Sequence, residues 1–180
     1  MNVLVLVGSL RAASTNNLLA RAAVRHLPAG TDVTFFEGLD ALPFYSEELD
    51  AATPPAEVAR LRQAVADTDA ILIATPEYNG TMSAVLKNAI DWASRPRGAA
   101  AIAGKPAVVL AASGAGRNAV WAREDTIKAL RVAGADVSED SFGIANSWKA
   151  FDAEGTLVDA DLDAELASLV NRMVRIPAAA

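Results

Sequence analysis

Val3-Leu4-Val5-Leu6-Val7, followed by Gly8-Ser9-Leu10-Arg11-Ala12-Ala13-Ser14-Thr15-Asn16, is the stretch on which the fold turns. Its five apolar residues show no polar alternation, which is how a strand covered on both faces reads, and strands of that kind belong to parallel sheets. Runs of the same character return at Ala70-Ile71-Leu72-Ile73-Ala74 and Ala107-Val108-Val109-Leu110-Ala111, with a weaker strand at Val33-Thr34-Phe35-Phe36 and another spanning 136–144. Helical patterns lie between them, at 17–27, at 54–66 with Val58, Leu61 and Val65 on one face, at 84–93 and at 120–133. A last helix fits 162–174. Thr53 is placed to cap the second helix, with Pro54 in its first turn. Strands alternating with helices predict an α/β protein, a doubly wound parallel sheet joined by right-handed crossovers.

The 180 residues suffice for one domain with one core. We read 1–176 as that domain and 177–180 as a frayed tail. With 52% hydrophobic and 21% charged residues the composition is that of a globular protein. The absence of cysteine excludes a thiol nucleophile, a disulfide framework and a cysteine-held metal. The single histidine, His26, reads as a solvated residue of the first helix, so no metal site is expected. A formal charge of −6 and a pI near 4.8 disfavour nucleic acid as a partner. No apolar stretch nears the ~20 residues that cross a bilayer, and the opening run has neither the length nor the basic leader of a signal segment. A cytoplasmic protein with no membrane partner is expected. The acidic residues Glu47, Glu48 and Asp50 read as solvated, and those of 159–165 as a helix N-terminus.

In an open α/β sheet, ligands sit outside the carboxyl ends of the strands, so the segments after Val7, Thr75 and Ala112 matter most. After Val7, Gly8 permits a tight turn, the helix N-terminus faces outward, Ser9, Ser14, Thr15 and Asn16 add donors, and Arg11 adds positive charge. Together these residues suit a phosphate monoester. After the third strand, Thr75-Pro76-Glu77-Tyr78-Asn79-Gly80 carries a proline and an Asn-Gly turn that can set backbone amides and a ring beside a planar ligand. After the fourth, Ser113-Gly114-Ala115-Gly116 is almost free of side chains, so a flat ring could approach its backbone. Plain strand-to-helix turns are compatible with the last two segments.

Better-known motifs fail on spacing. Gly98 to Gly104-Lys105 encloses one residue too many for a Walker A loop and ends in Pro106 rather than Ser or Thr. Gly114-Ala115-Gly116-Arg117-Asn118-Ala119 matches the dinucleotide fingerprint but falls too late in the chain. Ser113 lacks the flanking glycines of a nucleophile elbow. Leu86, Ala89, Ile90 and Ala93 form a packing face, on which Lys87 and Asp91 make an i,i+4 pair.

Gly8-Ser9-Leu10-Arg11 with Ser14 and Asn16, Thr75-Pro76-Glu77-Tyr78-Asn79, Leu86-Lys87-Asn88-Ala89-Ile90-Asp91-Trp92 and Gly104-Lys105-Pro106 together resemble the NADPH-dependent FMN reductases of flavodoxin-like fold, among them quinone, chromate and azo-dye reductases. The resemblance implies a five-stranded sheet in the order 2-1-3-4-5 with FMN at its switch point. It implies that Ser9, Arg11, Ser14 and Asn16 hold the FMN phosphate. Pro76, Glu77, Tyr78 and Asn79 would line the ring system, and Ser113, Gly114 and Gly116 would meet its other edge. It further implies NADPH or NADH as co-substrate, a small acceptor such as a quinone, free flavin, azo compound or chromate, and a homodimer or homotetramer. Hydride would pass from the nicotinamide to the flavin, and a second substrate would then enter the vacated place. No catalytic acid or base is expected, because the cofactor carries the bond making. The chain departs from the family's frequent Ser-x-Pro at Thr81-Met82-Ser83, and from its frequent Gly-Gly at Asn118-Ala119. The alternative is a flavodoxin-type electron carrier, against which Arg11 speaks, since such carriers usually grip phosphate without an arginine.

Overall fold

The computed structural model describes residues 1–174. In chain order the elements are β1 (Asn2–Val7), α1 (Thr15–Val24), β2 (Asp32–Phe35), a 3-10 turn (Leu39–Ala41), α2 (Ala56–Ala66), β3 (Ala70–Ala74) and α3 (Ala84–Ala93). There follow β4 (Pro106–Ala112), α4 (Val120–Ala133), β5 (Asp136–Val137), β6 (Phe142–Ile144), a second 3-10 turn (Ser147–Lys149) and α5 (Ala160–Met173). The expected tail at 177–180 lies outside the described residues.

The strands pair in parallel in the order β2-β1-β3-β4-β5, with β6 also against β4. Every residue of β3 and β4 is buried. Their side chains alternate between two apolar layers. Leu4, Leu6, Ile71, Ile73 and Val109 face α2, α3 and α4, while Val3, Val5, Leu72, Val108 and Leu110 face α1 and α5. That two-sided cover is why β3 and β4 carry no polar residue.

The expected strand over 136–144 is two pieces. Ala107 pairs with Val137 and Leu110 with Phe142, so residues 138–141 stand opposite Val108 and Val109. Four residues cannot match two in a ladder, and the polar Ser138-Glu139-Asp140-Ser141 loops out of the sheet.

The expected cap at Thr53 is also corrected. Helix α2 begins at Ala56 with Pro55 as its N-cap and no side-chain cap bond. Pro55 keeps the preceding Pro54 out of the helical region, so the helix starts two residues late. His26 lies two residues past the end of α1 rather than inside it, with Nε2 2.9 Å from Asp163 Oδ1 on α5. Asp50 is no solvated acid either: it meets Arg62 at 2.7 Å, both side chains about 15% exposed. The acidic N-terminus expected near 159–165 is present, since Asp159 accepts from the amides of Asp161 and Leu162.

Candidate functional site

Four loops leave the sheet at one level. Beyond β1, Gly8 N–H donates to Ala74 O at 2.8 Å; beyond β3, Thr75 N–H donates to Leu110 O at 2.9 Å; beyond β4, Ser113 N–H donates to Ile144 O at 2.9 Å. Each loop therefore departs where its neighbour's ladder ends, and their first residues share one rim. There they enclose a cavity of about 230 Å³, lined from β1 and α1 by Ser9, Arg11, Ser14, Thr15 and Asn16, and from the loop after β3 by Pro76, Glu77 and Tyr78. Ala112, Ser113 and Gly114 close it from β4, and Ser147 and Trp148 from the turn after β6.

The cradle end is built on the start of α1. Ser14 is the N-cap, its Oγ accepting from Asn17 N–H at 3.2 Å. The amides of Thr15 and Asn16, first in the helix, have no acceptor within it and carry the positive end of its dipole. Arg11 is exposed, and its only hydrogen bond among the described residues runs to Ala13 O, two residues on. Gly8 owes its identity to close approach rather than to a special turn: a Cβ there would lie 2.6 Å from Ser83 Oγ and 3.1 Å from Leu86 Cβ.

Asn16 has a structural part beside the one expected of it. Its amide nitrogen donates to Ala112 O at 2.9 Å and its oxygen accepts from Ala112 N–H at 2.8 Å. The side-chain oxygen and one N–H of the side-chain amide are thus tied to the end of β4, which leaves the second side-chain N–H and the Asn16 backbone amide as donors for an anion.

On the opposite wall, Asn79 and Gly80 (φ 51° and 78°) form a two-residue turn closed by paired bonds between Tyr78 and Thr81. Asn-Gly is the sequence this turn requires, because both central residues need positive φ. The turn is seated on α4. Glu77 accepts Ala122 N–H at 3.1 Å, Thr81 Oγ1 donates to the Asp125 carboxylate, and the Gly80 backbone faces the Trp121 ring. Tyr78 is 50% exposed beside the cavity, whereas Asn79 stands outside its lining.

The loop after β4 is held from behind by Arg123. Its guanidinium donates to Asn118 O at 3.0 Å, to Ser141 O at 3.1 Å and to Ser141 Oγ at 2.7 Å. Burial pulls this arginine below its ordinary pKa, with the nearby carboxylates of Glu124, Glu165 and Glu77 opposing. Asn118 and Ala119, where the family's glycine pair is missing, both keep left-handed backbone at φ 52° and 49°. A Cβ on Gly114 or Gly116 would meet nothing within 4 Å, so the backbone here is open to a flat ligand, although Gly116 does not reach the cavity.

Ser147 and Trp148 are the residues that sequence reasoning missed. Their signal in the sequence is their place just after Ile144, at the carboxyl end of the last strand. Lys105 of the Gly-Lys-Pro motif is structural, its ammonium donating to Ala66 O at 3.0 Å and to Thr68 O, beyond α2. A larger cleft of about 700 Å³ runs between α3 and α4 beside Lys87, Arg95, Arg97 and Lys128. None of the rim loops lines it, so its size does not make it the site.

The sheet order, with its polar cradle above the first strand, defines a flavodoxin-like α/β protein of one domain. Residues 1–149 match the family described as NADPH-dependent FMN reductase. The NAD(P)H-dependent FMN reductase of Pseudomonas aeruginosa is 39% identical over 88% of this chain and 85% of its own length. A 2-hydroxy-1,4-benzoquinone reductase of a Burkholderia species is 45% identical over 63% of this chain and 61% of its own. Among solved structures, the flavoenzyme NAD(P)H:(acceptor) oxidoreductase FerB of Paracoccus denitrificans superposes with a TM-score of 0.85 at 32% identity, over 96% of this chain and 94% of its own. The chain belongs to the NADPH-dependent FMN reductases, oxidoreductases that use FMN with NAD(P)H as co-substrate. Among the described residues no helix is long and apolar enough to cross a membrane.

The residues present fit the cofactor. Hydroxyls, free helix-start amides and one guanidinium stand at one end of the cavity, and side-chain-free backbone with a tyrosine ring stands at the other. That donor set matches a dianionic monoester joined to a flat heterocycle.

Proposed function

We propose that this chain is an NAD(P)H-dependent reductase of small acceptors, with quinones and free flavins foremost and azo compounds or chromate as further candidates. The observation that carries the reading is the single cavity that joins Ser9, Arg11, Ser14 and Thr15 to Pro76, Glu77, Tyr78, Ser113 and Gly114. The names of the Pseudomonas and Burkholderia relatives support the choice of acceptors.

Bound FMN supplies two-electron transfer between the nicotinamide and the acceptor. The protein's part is to bind and orient. Arg11, Ser9, Ser14 and the amides of Thr15 and Asn16 hold the phosphate. Pro76 to Tyr78 and Ser113 to Gly114 hold the ring from two sides, and Tyr78, half exposed, borders the place where both substrates enter in turn. No side chain is required as acid or base. The same reading has the protein working in the cytoplasm, where reduced nicotinamide is supplied, as a homodimer or homotetramer with the open rim near a second copy.

The test is the absorption spectrum of the purified protein with and without added FMN, followed by steady-state oxidation of NADPH and of NADH with a quinone, with free FMN and with an azo dye. Turnover with a quinone or free FMN supports the reading. Flavin-loaded protein that oxidises neither nicotinamide is an electron carrier instead, and protein that stays colourless in excess FMN holds no flavin. Tyr78→Ala should change turnover more than FMN affinity; unchanged rates with both substrates would remove the ring from the entrance.

A further inference from the structure

Trp148 is 74% exposed at the lip of the cavity, on a turn that is itself firmly held. An indole left in water forgoes burial of most of its ~150–250 Å² of surface. The backbone beneath it is not loose. Asn146 N–H donates to Ala115 O at 3.3 Å, Ser147 N–H donates to Ser113 O at 3.0 Å, and the buried Ser147 Oγ lies 3.2 Å from Thr15 Oγ1. Asn146 itself sits at φ 48°. The turn is therefore bonded to the first residue of α1 and to the loop after β4, two of the walls of the cavity, and it brings Trp148 into the lining of that cavity.

The cavity, at about 230 Å³, is smaller than the ~300–1,000 Å³ of pockets that enclose a small molecule. A mononucleotide anchored at Arg11 must project from it along the rim. The exposed rings of the cavity lining are Tyr78 on one side and Trp148 on the turn that bridges the walls.

We infer that Trp148 is a positioning residue for the flavin: its indole lies against the part of the mononucleotide that projects from the cavity, held at that height by Ser147 through Thr15. The inference rests on the reading of the cavity as the FMN site. Contact of this kind is indifferent to charge. It should act equally on FMN and on riboflavin, which lacks the phosphate, whereas Arg11 acts on FMN alone.

The experiment uses full-length protein freed of flavin and labelled with 5-fluorotryptophan, whose three residues Trp92, Trp121 and Trp148 give three fluorine resonances. The resonance absent from Trp148→Phe should move on addition of FMN and of riboflavin, while that of the buried Trp92 stays. By equilibrium dialysis, Trp148→Ala should weaken both flavins by roughly 3- to 10-fold, and Trp148→Phe by less. Wild-type protein that binds FMN with the Trp148 resonance unmoved, or a Trp148→Ala variant with unaltered flavin affinity, overturns the inference while leaving the site's reading intact. A raised KM for nicotinamide with flavin affinity unchanged overturns it in favour of a second-substrate contact. Failure of the wild type to bind FMN removes the reading of the site, and this inference with it.

Discussion

The carboxylate of Glu77, in the loop after β3, accepts the backbone N–H of Ala122 in the first turn of α4 at 3.1 Å. The helix needs this, because its own N-cap, Ala119, has no side chain that could accept. Glu77 is thus a cap supplied from another loop, and it binds the ring-side turn at Tyr78 to the helix that follows the other ring-side loop. Glu77→Ala should lower stability by about 1 kcal/mol, the usual cost of losing a cap, with Glu77→Gln losing less. Urea denaturation measures this; equal stability of wild type and Glu77→Ala would mean that the cap is dispensable.

Arg11 and Asn16 share a cradle but should fail in different ways. On the proposed reading of the cradle, Arg11→Ala loses one charge-assisted bond to the phosphate and should weaken FMN binding roughly 10- to 150-fold with little change in stability. Asn16→Ala strands the buried N–H and C=O of Ala112 and should cost about 2–4 kcal/mol of stability. Flavin titration beside thermal unfolding separates the two. Arg11→Ala with wild-type affinity would take the guanidinium out of the site.

Gly143 in β6 cannot carry a side chain. A Cβ there would collide with Asn118 O and lie 2.7 Å from Arg123 Nε, and both atoms belong to the bracket behind the loop after β4. Gly143→Ala should cost at least ~2 kcal/mol and loosen that loop. A variant as stable as wild type would show that Arg123 is free to move aside.

Ser83 offers a gain. Its hydroxyl is buried at the start of α3 and has no hydrogen-bond partner among the described residues, a cost that alanine removes. Ser83→Ala should stabilise by about 1 kcal/mol, a rise in Tm of roughly 2–4 °C at this chain length. Ser83→Pro should also stabilise, since Ser83 already sits at φ −66° and its N–H meets no acceptor among the described residues. A lowered Tm in both variants would mean that the hydroxyl has a partner in solution.

Strands β1, β3 and β4 and helices α3 and α4 were legible because their signals are local. An apolar run covered on two faces, or an apolar stripe at helical spacing such as Leu86, Ala89, Ile90 and Ala93, declares itself within one element. Strand 136–144 was not legible as two pieces, because the break at 138–141 comes from a mismatch in its pairing with β4 rather than from its own residues.

The same division runs through the site. The motifs after β1, β3 and β4, with their family likeness, marked where a phosphate and a ring would lie, because glycines, hydroxyls and an arginine at a strand's carboxyl end state their chemistry in a few consecutive residues. What each polar group is free to do was decided by the fold. Asn16 is bonded both ways to Ala112, Glu77 caps a helix 45 positions further along the chain, and Ser147 and Trp148 arrive at the rim from the far end of the sheet. Those roles depend on which partners packing brings within about 3 Å of one another, and hydrogen bonding over that range has no trace in the order of residues along the chain.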